Sequence, residues 1–535
     1  MHPIFPRNQV FDAVVFGSGL AGLSCSRRLA VRGKKVIVLE KAKELGGHLL
    51  PFERGGVVFE VGLHYIADTH PGSHFSAAVA KLNVEFEQIF LDNEFETLVF
   101  EGGGRSAKEQ ISYSRPTTRF IADLKFRFPQ FTLSIERYFQ TLELVWGLAR
   151  QLKFPVAVKD VLATFWKSEH KLLLARLATQ TLGEYLDELG IFGQLREILV
   201  VHHLLIGVPP SKVSALTHMT VQRYYFEAAS FVRGGGRAMI EALKHVDVDY
   251  LVGVDAQFER VFDVEFARQG IRYRVWTGDG QEFYAKSIVW TPDPRLLAAG
   301  NTTVSLPSLV REKMRRAEAP HALVVGYFAT RKPLQDYGFS NRNYWLMGNL
   351  DSEQCYLESD PQQLAQSAPL YLSMGSLRDP DAVQSGHKLA AKGVFQAMFL
   401  CPPESAPWGG SDADAYRVPE SKGGFGRAYR MTKEQVLKTL TQRIVTQWPQ
   451  LQGELQWTEL GTPLTHRRYL NSLTLNGYGY AATVSDLLWK RPGAWTGEDG
   501  LYLCGAHVRP SHGIVTALLN GVGLADCLAT CETPT

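Results

Sequence analysis

Apolar residues recur along the chain in two rhythms. Val10–Phe16 (VFDAVVF) is a short β-branched and aromatic run that predicts a buried strand. It passes directly into Gly17-Ser18-Gly19-Leu20-Ala21-Gly22. Leu23–Gly33 then places apolar residues at helical spacing and ends on a glycine suited to a helix C-cap. Lys35–Leu39 (KVIVL) is a second strand-like run, closed by Glu40. Beyond this unit residues 134–228 read mostly as helix, whereas 321–328 (HALVVGYF) and 369–374 (PLYLSM) read as strands. The stretch 402–424 is the clearest breaker-rich loop. No repeat of ~20–50 residues recurs, and no uninterrupted apolar run reaches the ~18 residues of a membrane span.

Strand, G-x-G-x-x-G turn, helix, strand and acid in this order form a dinucleotide-binding β–α–β unit. Gly17 permits the tight turn, Gly19 lets the backbone approach a pyrophosphate, and Gly22 lets the helix pack close to the strand. The helix start offers free N–H groups and the positive end of its dipole to the phosphates. Glu40 can accept hydrogen bonds from both ribose hydroxyls and would repel a 2′-phosphate, which favours FAD or NAD over NADP.

Composition narrows the field. At 535 residues with 45% hydrophobic and 21% charged residues the chain is globular, and a formal net charge of +3 gives no reason to expect nucleic acid. Six cysteines are too few for a disulfide scaffold, and Cys527 with Cys531 lacks the second pair of a zinc site, so no metal is expected. The N-terminus shows no basic segment followed by an apolar one, so a secretory signal is not expected and a cytoplasmic location is.

Further motifs carry a resemblance. After Glu40 come Lys41 and then Gly46-Gly47-His48; Phe59–Tyr65 reads FEVGLHY. Leu182–Leu186 (LGEYL) opens a helical stretch, continued by Leu195–Leu205 and Gly207-Val208-Pro209-Pro210. Phe231–Gly236 (FVRGGG), Ser287–Pro294 (SIVWTPDP) and Thr462–Thr465 (TPLT) follow, and the C-terminal part holds Gly500–Ala506 (GLYLCGA) and Gly513–Ala517 (GIVTA). Together these resemble the FAD-dependent superfamily of phytoene desaturases, carotenoid isomerases and retinol saturases, related to the amine oxidases, over almost the whole chain. The resemblance implies an α/β fold: a discontinuous Rossmann-like FAD-binding domain (1–70, 230–300, 485–535) with an α+β substrate domain and helical cap (71–229, 301–484). It places FAD against Gly17, Gly19, Leu20, Ala21, Gly22, Glu40, Lys41, Gly46, Gly47, His48, Phe258, Gly505, Ala506, Gly513, Ile514 and Val515, with the helix begun by Gly513–Val515 at the flavin ring. Ala506 stands where many relatives carry an acid, and His48 where desaturases often carry arginine.

The implied activity is an FAD-dependent oxidoreductase acting on carbon–carbon double bonds of a large apolar conjugated polyene, by desaturation, saturation or isomerisation. A reductive cyclase of a polyene natural product, such as a tetramate macrolactam, is a variant within the superfamily. A non-redox prenyl-lipid escort is the alternative from another class; the intact glycines and Glu40 favour the enzyme. No second G-x-G-x-x-G follows a strand, since Gly102–Gly104 and Gly234–Gly236 lack its context. An external reductant such as NADPH would therefore bind transiently over the flavin.

Because a flavin carries the chemistry, catalytic side chains are few. His64 and Tyr65 follow the cofactor segment toward the substrate, and His507 and His512 bracket a loop beside it; His64, Tyr65 and His512 are the candidates for proton transfer. The adjacent His202 and His203 face different sides of a helix, which argues against a metal pair. The basic run in REKMRR (311–316) reads as a solvated helix end. Residues 138–166, rich in Trp, Phe and Leu with scattered Lys and Arg, read as a helical cap; their functional version is an interfacial helix giving peripheral membrane contact.

Overall fold

The computed structural model describes residues 9–101, 109–299, 304–383, 389–410, 426–486 and 490–530. The first residues, Gly102–Gly104, Cys531 and most of the 402–424 loop lie outside them. Two seven-stranded sheets organise the rest.

The first sheet is built on the predicted β–α–β unit. Val10–Phe16 pairs in parallel with Val36–Glu40 on one side and with Glu282–Trp290 on the other. Val248–Val252 extends the parallel part beyond Val36–Glu40. The long strand Glu282–Trp290 pairs antiparallel with Tyr273–Thr277 through its first half and parallel with Leu501–Leu503 through its end. Ala256–Arg260 forms the edge. Side chains alternate between the two faces, as a strand requires. Val14, Phe16, Ile37 and Leu39 pack with Phe258 and Val275, whereas Ala13, Val15, Val36 and Val38 pack with Ala21, Cys25 and Leu524. Both faces are therefore covered, which explains the unbroken apolar runs.

Two helices cover the second face. The first, Leu20–Val31, begins inside the glycine motif, three residues before the periodicity suggests, because Gly22 already packs as a helical residue. Gly33 follows it with φ +73°. The last helix, Ile514–Thr530, lies against it with almost no side chains between: a Cβ on Gly521 would sit 2.1 Å from Ser24 Oγ and 2.6 Å from Ala21 O.

The second sheet runs in the order Leu455–Gly461, Ala322–Thr330, Gly393–Cys401, Leu370–Ser373, Asn343–Met347, Glu94–Phe100, Gln110–Ser114. All neighbours are antiparallel except Asn343–Met347 with Glu94–Phe100. Helices between Thr117 and Glu227 roof it, as the sequence predicts for 134–228. Thr462 caps the helix Pro463–Leu470 through a reciprocal bond with Thr465, and Pro463 starts it where a missing N–H costs nothing. Among the described residues no helix is long and apolar enough to cross a membrane.

Gly521→Val should force the first and last helices apart. An overpacked contact of this kind costs about 1–3 kcal/mol, so the unfolding midpoint in a thermal melt should fall, and an unchanged midpoint would show that the helix contact is slack.

Candidate cofactor and substrate cavity

One cavity of about 1230 Å³ lies between the two sheets and the cap. At one end Gly17–Ala21, Glu40–Ala42, Val254–Phe258 and Gly505–His507 form its wall; Gly513–Ala517 also lines it. The N-terminal turns of the first and last helices thus meet in the same space, where their free N–H groups and dipoles favour negative charge.

The glycines divide into two kinds. Gly17 has φ +88°, and a Cβ there would lie 2.4 Å from Thr291 Oγ1; a Cβ on Gly22 would lie 2.1 Å from Gly17 O. These two serve the fold. Gly19 has φ −62°, a conformation open to any residue, and among the described residues no atom beyond its chain neighbours lies within 4 Å of its missing Cβ. Its bare face is turned to open cavity, so packing among the described residues does not require a glycine there. Gly513, with φ +113°, is equally open. Gly46 and Gly22 do not line the cavity. Gly46 packs on Ile240 and donates its N–H to Ser18 Oγ at 3.0 Å, shaping the wall from behind.

Glu40 stands at the rim. Its Oε2 accepts from the Ser18 N–H at 2.8 Å and the Ser18 hydroxyl at 2.6 Å, and its Oε1 accepts from the Ala42 N–H at 2.7 Å. The carboxylate is thereby held still before any ligand arrives. Ser18, between two motif glycines, goes unnoticed in the sequence. Phe258 is buried beneath this end, 5.2 Å from the Phe16 ring.

The other arm is lined by Val145, Leu148, Leu152, Val161, Phe165 and Leu204 from the cap and by Val325, Tyr371, Met398 and Leu400 from the second sheet. Among the described residues the acids on the lining are Glu40, Asp255 and Asp293, all from the first-sheet half of the chain. Asp293 pairs with Arg295 at 3.0 Å.

Five histidines, His48, His64, His466, His507 and His512, line the cavity. Burial is the main cause that lowers His48, His507 and His512 to about 4 and His64 to about 3, and it also lowers His466. They are neutral at physiological pH and offer hydrogen bonds rather than positive charge. His512 Nε2 donates to Leu205 O at 3.2 Å, and His466 Nε2 to Leu323 O at 3.0 Å. The His64 ring lies edge-on to Tyr371, and its carbonyl accepts from Arg378 at 2.6 Å.

Tyr65 reaches a polar network that the sequence conceals. Its hydroxyl donates to Glu96 Oε1 at 2.7 Å, and Glu96 Oε2 meets His202 Nε2 at 2.8 Å, with both side chains fully buried. Arg378, also fully buried, donates to Ser373 Oγ and to Asn343, which neighbours Glu96 across the strands. Tyr225 stacks on both Tyr65 and His202. His202 thus binds sheet to cap. Among the described residues no group of acids, histidines and cysteines could hold a metal.

Gly19→Ala should leave folding intact and abolish loading of the dinucleotide, whereas Gly22→Ala should destabilise the protein itself; visible absorbance of the purified variants and their melting midpoints separate the two. A Gly19→Ala protein that is fully yellow would move the pyrophosphate elsewhere. Glu40→Ala should weaken FAD by about 1.5–3 kcal/mol in a titration of apoprotein, the range of a charge-assisted hydrogen bond. The histidines add a pH effect. Their folded values lie below the unfolded value of about 6.5, so their contribution is complete above that pH and is lost as pH falls toward 4. His507→Gln with His512→Gln should flatten the drop in unfolding midpoint over that interval; an unaltered slope would mean that these rings are solvated.

The chain matches the family described as flavin containing amine oxidoreductase over residues 20–385. It is 25% identical to the Homo sapiens all-trans-retinol 13,14-reductase over 490 residues, 87% of this chain and 77% of that protein. It is 22% identical to the chloroplastic prolycopene isomerase of Arabidopsis thaliana, over 97% of this chain and 83% of that one. A Rhodobacter capsulatus phytoene desaturase is 24% identical over 98% and 94%. Among solved structures, a cofactor-binding redesign of putrescine oxidase superposes with TM-score 0.61 at 14% identity, covering 98% of this chain and all of that one. An oxidoreductase from Methanosarcina mazei gives 0.63 at 12%, covering 96% and 99%. These two show the fold. With a ligand-sized void at Gly19 and two helix N-termini facing it, the chain belongs to the flavin-containing amine oxidoreductases, in the superfamily of retinol saturases, carotenoid isomerases and phytoene desaturases, and is an FAD-dependent oxidoreductase.

Proposed function

We propose that the enzyme acts on carbon–carbon double bonds of a large apolar conjugated polyene, by desaturation, saturation or isomerisation. The observation that carries this is the substrate arm: aliphatic and aromatic walls continuous with the cofactor cradle, without a carboxylate among the described residues of its cap and second-sheet lining. An ammonium substrate buried there would lack a counter-ion, and an unpaired buried charge is costly. At about 1230 Å³ the cavity exceeds the ~300–1,000 Å³ of a typical single-ligand site, in keeping with a cofactor and a long substrate in one space.

FAD supplies hydride transfer to or from carbon when bound. Gly17–Ala21 and Glu40 would hold its ADP half, and Gly505, Ala506 and the turn at Gly513–Val515 would hold the flavin half. The chain's further contribution is exclusion of water and five uncharged histidines on the lining, whose cations are Lys41, Arg467, Arg468 and Arg509. Polyene relatives by name, the retinol reductase, prolycopene isomerase and phytoene desaturase, support the same reading.

The test is anaerobic incubation of the FAD-loaded protein, its flavin oxidised in one series and reduced with dithionite in another, with phytoene, prolycopene and all-trans-retinol, followed by chromatography with absorption spectra. Conversion of one of them is expected: a longer chromophore reports desaturation, a shorter one saturation, an equal one with altered retention isomerisation. Leu148→Asp should keep FAD and lose polyene affinity by roughly tenfold or more, because it buries an unpaired charge. No conversion of any polyene, with putrescine oxidised instead, would sink the reading.

A further inference from the structure

The cap helix Val158–Lys167 is apolar on two faces. Val161 and Phe165 are buried and line the cavity. Leu162 and Trp166, on the adjoining outward face, are 44% and 78% exposed, and Leu172, at the start of the next helix, is 82% exposed. A surface helix ordinarily carries one apolar stripe; a second one needs a second place to be buried.

The charges around this face indicate what covers it. Lys153, Lys159, Lys167 and Lys171 are exposed beside it. The Lys171 ammonium lies 5.1 Å above the Trp166 ring, and Lys153 and Lys167 form no ion pair among the described residues. Residues 150–175 hold five basic residues, Arg150 and these lysines, against Asp160 and Glu169, a net +3 equal to the formal net charge of the whole chain. The segment is therefore basic beside its exposed apolar residues.

We propose that this face docks on an anionic lipid surface. A tryptophan and two leucines ringed by lysines match a bilayer interface: the rings and aliphatic chains enter the headgroup region while the lysine stems lie along it and their ammonium groups meet phosphates. A second copy of the chain is a poor fit, because two such basic faces repel. Docking lays the apolar arm of the cavity against the bilayer with a single helix between them, since Val161 and Phe165 form the inner side of the helix whose outer side carries Leu162 and Trp166. The docking does not depend on which polyene is the substrate, or on whether it is one.

Flotation of the FAD-loaded protein with vesicles tests it, using phosphatidylcholine alone and equal parts phosphatidylcholine and phosphatidylglycerol. The wild type should float with the anionic vesicles and at least about tenfold less with the neutral ones. Lys167→Glu with Lys171→Glu should cut binding about tenfold or more, and Trp166→Ser with Leu172→Ser comparably. None of these four side chains lines the cavity, so flavin content and turnover of detergent-dispersed substrate should be unchanged, which separates lost docking from lost folding. Wild type that stays with the soluble fraction, equal binding to both vesicles, or variants that float like wild type would each overturn the assignment. So would a concentration-dependent dimer that the same substitutions dissolve, with no vesicle binding.

Discussion

The contact between the first and last helices is the constraint on which the site depends. Ala21 and Ser24 on one and Gly521 on the other let the two backbones approach without intervening side chains. Only that closeness brings the N-terminal turns at Leu20 and Ile514, nearly the whole chain apart in sequence, into one cavity. Each turn contributes partial positive charge from unbonded N–H groups. Neither the β–α–β unit nor the C-terminal segment could hold a long dinucleotide alone.

Electrostatics divides the cavity. The cradle end concentrates helix dipoles, Glu40 and the Asp293–Arg295 pair, whereas the far arm is apolar. Histidines sit across both, and burial keeps them neutral, so they add no positive charge to the arginines already on the lining. Proteins named for retinol, carotenoid and amine substrates are all similar to this chain, so the fold by itself does not set the substrate.

The parts legible in the sequence are those with local causes. The fingerprint could be read because Gly17, Gly19, Gly22 and Glu40 all lie within one supersecondary unit, each answering a nearby steric or charge requirement. The helix start was displaced from Leu23 to Leu20 because periodicity cannot see that a glycine is already helical. The two roles of glycine, packing at Gly22 and vacancy at Gly19, look alike in a motif and separate only when a Cβ is built on each. The Tyr65–Glu96–His202 network was hidden because Glu96 and His202 lie 106 residues apart, and Arg378 and His64 lie 314 apart. A histidine on a helix carries no mark of its partner on a strand.

That network has a mechanical consequence. Glu96 belongs to the second sheet, His202 to the cap and Tyr65 to the segment that leaves the cofactor cradle, and all three are buried. Removing one partner of such a buried set strands the others at a cost of about 3–5 kcal/mol. Floor and roof of the substrate arm are therefore pinned to each other by polar bonds, while the walls around them are soft aliphatic contacts. Widening the arm displaces aliphatic contacts, whereas deepening it breaks buried hydrogen bonds, so its depth is held more stiffly than its girth.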